Sequence, residues 1–97
     1  MGDYIVFVIK KDDTFLFIKR SMKKKKLPGA WGIPTGTREG TDTLFETAKR
    51  ESQEELGVVV NPVNEFFKFY NDKFDDWVYF VLCEYILLVN LQHSLLP

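Results

Sequence analysis

Three glutamates, Glu51, Glu54 and Glu55, are the residues of this chain best placed to do chemistry. They fall in a stretch from about Thr43 to Leu56 that contains no helix breaker and is stopped by Gly57. At roughly 100° per residue, their carboxylates share an arc of about 100° on one side of the helix. Phe45, Ala48 and Leu56 occupy the neighbouring arc, so the acidic stripe borders the face that would turn towards a sheet. Carboxylates crowded at such an edge repel one another unless a cation neutralises them, and hard oxygen ligands suit Mg²⁺ or Mn²⁺. A solvated face is the competing reading, because Arg50 stands four residues from both Glu46 and Glu54 and could form ordinary surface pairs.

The residues around the helix narrow the choice. Gly36 and Gly40 mark a loop that needs unusual backbone angles or close approach to a ligand, and Thr41-Asp42 supplies N-cap chemistry. Gly36, then Asp42, then Arg50-Glu51-Ser52-Gln53-Glu54-Glu55-Leu56-Gly57-Val58 resembles the signature of the Nudix hydrolases. That signature is a Gly, five residues, a Glu, seven residues, then Arg-Glu-apolar-any-Glu-Glu-any-Gly-apolar. Five fixed residues at roughly 6% background frequency match a given window by chance about once in a million. Three positions depart from the pattern. Asp42 replaces a Glu, Ser52 replaces an apolar residue on the buried arc, and Thr35 replaces the first glycine of the usual Pro-Gly-Gly. Ser52 must leave unfilled volume or hydrogen-bond its hydroxyl back to the helix.

The resemblance implies an α/β fold: a Nudix-type mixed β-sheet with the signature helix packed on one face. It also implies a hydrolase that uses Mg²⁺, or Mn²⁺, to cleave a phosphoanhydride in a nucleoside diphosphate linked to another group. Glu54 and Glu55 would be metal ligands, Glu51 a ligand or the base that orients the attacking water, and the Thr35 carbonyl a further ligand. The Gly36–Gly40 loop would hold this cluster against the substrate. Arg50, at the substrate site, would orient the acids rather than contact the nucleotide. A catalytically inactive Nudix-like fragment that binds nucleotide, protein or RNA is the alternative.

Ninety-seven residues suffice for one domain, spanning 1–97, and 45% apolar residues with 15% aromatics provide a modest core. The formal net charge of −1 gives no global attraction to nucleic acid or acidic membranes, which argues against an RNA binder. Cys83 has no partner for a disulfide and sits in an apolar run, as an inert core thiol does. The N-terminus, MGDYIVFVIKK, lacks the basic flank and cleavage site of a secretion signal. The longest apolar region, Trp77 to Val89, is interrupted by Glu84 and is too short to span a bilayer. A cytoplasmic protein is expected.

Taken in order, Tyr4 to Ile9 reads as a strand covered on both faces, Lys10 to Thr14 as a turn and Phe15 to Ile18 as its hairpin partner. Arg20 and the four lysines from Lys23 to Lys26 could draw in a polyphosphate, or simply form a solvated loop. Trp31 could stack on a base or anchor the loop to the core. Glu65 to Tyr70 and Trp77 to Tyr85 read as a long hairpin joined by Asn71 to Asp76, with Phe69 and Tyr70 as alternating core aromatics. His93 reads as structural or exposed. Compared with the family pattern, the sequence from Ile86 onwards holds no acid and lacks a second helix. One sheet face should then stay uncovered unless the tail or a second subunit packs on it, which favours a homodimer.

Overall fold

In the computed structural model, residues 3–19, 22, 29–89 and 94–96 are described, the last three by backbone only. Arg20, Lys23 to Lys26 and His93, singled out above, lie outside the described residues. β1 (Tyr4–Lys11) and β2 (Thr14–Lys19) form the first hairpin, turned at Asp12 and Asp13, with Asp12 at φ 54°. β3 (Trp31–Gly32) and β4 (Thr35–Thr37) precede α1 (Leu44–Leu56). β5 (Val58–Asn71) and β6 (Asp76–Leu88) form a second, much longer hairpin, and β7 (Ser94–Leu96) adds against β2.

The strands make one mixed sheet in the order β3-β2-β1-β6-β5. β1 and β6 run parallel from Tyr4 opposite Val78 to Lys10 opposite Glu84, whereas the other pairings are antiparallel. The second edge of β1 is shared. β4 takes Tyr4 to Val6, and β2 takes Lys10 and Lys11. Between them the Phe7 N–H donates to the Pro34 carbonyl at 2.9 Å, so the two partners diverge around the middle of β1.

α1 packs on one face only. Ile5, Phe7 and Ile9 of β1, Val58 and Val60 of β5, and Val81 and Cys83 of β6 are buried with Ala48 and Leu56 of the helix. The alternate residues Val6 and Val8 are half-buried and Tyr4 is exposed, so β1 is covered fully on one face rather than on both. Burial ends on β5 after Pro62, and from Val63 to Tyr70 every residue is exposed. Phe69 and Tyr70, at 41% and 42% exposure, are therefore not core residues. Their half of the hairpin lies beyond the stretch buried with the helix, and an apolar alternation looks the same with or without a covering layer. No helix of the described residues is long and apolar enough to cross a membrane.

The helix is capped differently from the sequence expectation. Thr43, rather than Thr41-Asp42, is the N-cap: its Oγ1 accepts from the Glu46 N–H at 3.0 Å, and Glu46 Oε1 accepts from the Thr43 N–H at 2.7 Å. This reciprocal capping box leaves Asp42 free to accept from Arg50 Nε at 3.1 Å. At the other end Gly57 adopts φ 68°, ψ 28° and donates its N–H to the Gln53 carbonyl, as the expected stop requires. Phe45 shares the buried arc yet stays 38% exposed. Helical side chains lean towards the N-terminus, so a ring in the first turn reaches past the start of the helix.

Ser52 is fully buried, and its hydroxyl has no hydrogen-bond partner. An unsatisfied buried hydroxyl costs on the order of 1–3 kcal/mol. Ser52→Ala should therefore stabilise the chain by about 1 kcal/mol, raising the melting temperature by roughly 4–8 °C in a domain of this size. Thermal unfolding followed by circular dichroism checks this; a melting temperature at or below that of the parent would contradict it.

Candidate functional site

The loop and the helix meet where Gly36 faces Glu51. A Cβ built on Gly36 would stand 2.8 Å from both Cγ and Oε1 of Glu51 and 3.0 Å from Cζ of Phe7. The glycine thus leaves the space that the Glu51 side chain fills. β4 is held there by Ile5 opposite Gly36, and by Arg38, which pairs with the Asp3 carboxylate and donates its N–H to the Asp3 carbonyl. Ala48 and Ser52, both small and fully buried, let the helix come close to the sheet.

Glu51 is the most sheltered of the three acids, with 12% of its side chain exposed against 59% for Glu54. Desolvation holds its carboxyl above the usual carboxylate range, and the fields of Glu55 and Glu54 push the same way. A hydrogen bond from the Thr37 backbone and the charge of Arg50 only partly offset this. The site therefore favours loss of negative charge at Glu51, by proton uptake or by a neutralising cation.

Arg50 is the hub of the surrounding charges. Its Nε binds Asp42, and its Nη1 lies 3.6 Å from Glu39, 3.6 Å from Glu51 and 3.5 Å from Glu54. Desolvation weighs against its charge, but Asp42, Glu39 and Glu51 outweigh it and strengthen its hold on the proton. The Arg50 to Glu54 pair was expected from their spacing; the Asp42 contact, across the helix start, was not. Glu54 faces Arg50, while Glu55, one position on, lines a pocket of about 190 Å³ with Thr35, Pro34, Phe7, Ile18 and Lys19. This pocket opens where β2 and β4 part along β1.

Glu51, Glu55, Thr35 and Gly36 are thus brought together, with Glu54 tied to Glu51 through Arg50. Among the described residues, no three His, Cys, Asp or Glu side chains are arranged to hold an ion as they stand. The donor chemistry nevertheless fits a hard divalent ion. The donors available are carboxylate and carbonyl oxygens, and Glu51 sits in a cradle that any side chain at position 36 would fill. Trp31 is 48% exposed and lies across from Lys19 in the β2–β3 pair, so it is not a buried anchor.

Two features escaped the sequence. Lys19 falls just past the strand read from Phe15 to Ile18, yet it lines the Glu55 pocket. A larger cleft of about 570 Å³ is lined by Tyr4, Val6, Thr37, Asn71, Phe74, Asp76 and Val78. It is lined by Tyr4 and Val6 rather than by the buried Ile5 and Phe7, and Thr37, whose backbone hydrogen-bonds Glu51, borders it. No local signal marks either feature, since both are assembled from distant segments.

Comparison with known proteins agrees with this architecture. The family model for the NUDIX domain matches residues 2–95, and the chain belongs to that family. A NUDIX hydrolase from Nitrosomonas europaea aligns with 99% of this chain and 57% of its own length, with a TM-score of 0.84 and 19% identity. A structure described as an ADP compounds hydrolase aligns over 98% and 56%, with a TM-score of 0.80 and 17% identity. An ADP-ribose pyrophosphatase from Streptococcus suis aligns over 96% and 69%, with a TM-score of 0.73 and 18% identity. The chain thus spans little more than half the length of the first two, and at these identities the likeness establishes the fold. No curated protein matches the chain in sequence.

The burial of Glu51 yields two expectations. Its folded carboxyl binds a proton more tightly than the unfolded one, so its contribution favours folding at low pH and is lost as pH rises through the raised folded value. In buffer free of divalent ions, Glu51→Gln should then be more stable than the parent at pH 7 and equal to it near pH 4; urea unfolding at the two pH values tests this, and a uniform offset would contradict it. Gly36→Ala should destabilise the chain by about 1–3 kcal/mol, because the new methyl overlaps Glu51 and Phe7. The same unfolding measurement checks it, and a parent-like midpoint would count against the close approach.

Proposed function

We propose that the chain is a hydrolase that uses Mg²⁺, with Mn²⁺ as a substitute, to cleave a phosphoanhydride in a nucleoside diphosphate linked to another group. The observation that carries this reading is the meeting of Glu51 with Gly36 on one side of β4 while Glu55, Thr35 and Lys19 line one pocket. Family membership supports it, as do the names of the structural neighbours, an ADP-ribose pyrophosphatase and an ADP compounds hydrolase. In this reading the protein works in the cytoplasm.

Glu54 and Glu55 would hold the ion, with Glu51 and the Thr35 carbonyl completing its protein ligands. When bound, the ion neutralises phosphate charge and acidifies water. The chain's own groups do the rest. Lys19 offers a cation to a phosphate entering the Glu55 pocket. Glu51, whose desolvated carboxylate readily takes a proton, can accept one from the attacking water at Oε1. The water oxygen bonds to phosphorus as the bridging oxygen departs with its electron pair. Arg50 holds the carboxylates of Asp42, Glu51 and Glu54 against their mutual repulsion. The cleft bordered by Tyr4, Phe74, Asn71 and Asp76 has the aromatic walls and polar edges that suit a nucleobase.

A panel of nucleoside triphosphates, ADP-ribose and related nucleotides, assayed with Mg²⁺ for release of a nucleoside monophosphate, tests the proposal. Glu54→Gln and Glu55→Gln should each lower the rate by about 100-fold or more while the melting temperature stays near that of the parent. Full activity in both variants would overturn the assignment. Nucleotide binding without turnover by the parent would instead support the non-catalytic alternative.

A further inference from the structure

β5 is the last strand of the sheet, and among the described residues it pairs only with β6. Its stretch from Val63 to Tyr70 is exposed throughout, with Phe66 at 50%, Phe67 at 53% and Phe69 at 41%. An apolar strand edge with unpaired backbone groups invites another strand.

The charges on this edge specify which strand. Glu65 and Lys68 are three residues apart and would lie on opposite faces of a regular strand. The register shift between Glu65 and Phe67 alters that: Glu65 pairs with Val81 and Lys68 with Tyr79, two residues apart on β6, so both charges lie on one face. Lys68 is kept there by the Trp77 ring, 5.3 Å from its ammonium. Phe67 pairs with Phe80 on the other face, and the Phe66 ring gathers at Phe80 as well, with centroids 5.6 and 6.0 Å away. The segment Glu65-Phe66-Phe67-Lys68 thus presents two opposite charges on one side and two rings on the other.

We propose that this edge is a homodimer interface, in which β5 of two copies pair antiparallel about a two-fold axis between Phe66 and Phe67. That axis sets Glu65 opposite the partner's Lys68 twice over, Phe66 opposite the partner's Phe67, and Val63 opposite the partner's Tyr70. Shifting the axis by half a residue step either way sets each charge against an uncharged side chain, Asn64, Phe66, Phe67 or Phe69. An axis through Glu65 or Lys68 sets like charges together. The pairing ends where Asn71 meets the partner's Pro62, which has no N–H to donate. A segment complementary to its own antiparallel copy is what a two-fold interface requires, and a second copy of this chain supplies it.

The test is sedimentation velocity of the full chain from about 1 to 500 µM, with light scattering as a second measure. The parent should pass reversibly from monomer to dimer. Glu65→Lys and Lys68→Glu should each weaken the dimer about tenfold or more, since each creates two like-charge pairs. The double exchange, Glu65→Lys with Lys68→Glu, should restore it to within about threefold of the parent. Melting curves of dilute, monomeric protein should coincide for all four chains and so show that the variants fold. A parent that stays monomeric, a double exchange as weak as the single variants, or a dimer indifferent to all three changes would each overturn the proposal.

Discussion

The Glu51 side chain of α1 can lie against β4 because position 36 carries no side chain, and the arrangement of the site follows from that contact. The Glu51 carboxylate occupies the space a Cβ would need, out of water and close to a backbone N–H that partly satisfies it. Small residues continue the same logic along the helix. Ala48 and Ser52 are fully buried where the helix lies nearest the sheet, and Ser52 does so with an unpaired hydroxyl. Closeness here outweighs the cost of a polar group left without a partner.

The sheet makes room for chemistry by dividing one edge of β1. Along its other edge β1 follows β6 without interruption, which fixes its position. On the divided edge β4 and β2 each take one end, and the Phe7 N–H turns to Pro34 between them. Polar groups from the loop, the helix and β2 converge at that parting. Ligands collect at such places because diverging strands leave a crevice that a continuous ladder would close.

What could be read from the sequence was mostly what local rules decide. The length of α1, its glycine stop and the two hairpins follow from residues within a few positions of each other. The N-cap was misplaced because Thr41, Asp42 and Thr43 all carry suitable side chains; Glu46, three residues after Thr43, was the signal that separates them. Asp42 serves Arg50 instead, a contact that spans the first two turns. The exposed aromatics of β5 and the place of Lys19 depend on where distant elements end, and no short window holds that information. The acid cluster was legible in kind and only partly in arrangement, since Glu54 is drawn to Arg50 whereas Glu55 lines the pocket beside Lys19.

The parallel ladder between β1 and β6 also bears on how the chain reaches this state. Its partners are far apart in sequence, Tyr4 beside Val78, whereas the long hairpin and the capped helix close over short distances. Loop-closure entropy delays contacts between remote segments, so the second hairpin and α1 can form early and offer a template. β1, itself in a short hairpin with β2, meets the remaining units only through that long-range ladder, so the crevice at its divided edge takes shape no earlier than the docking of these parts.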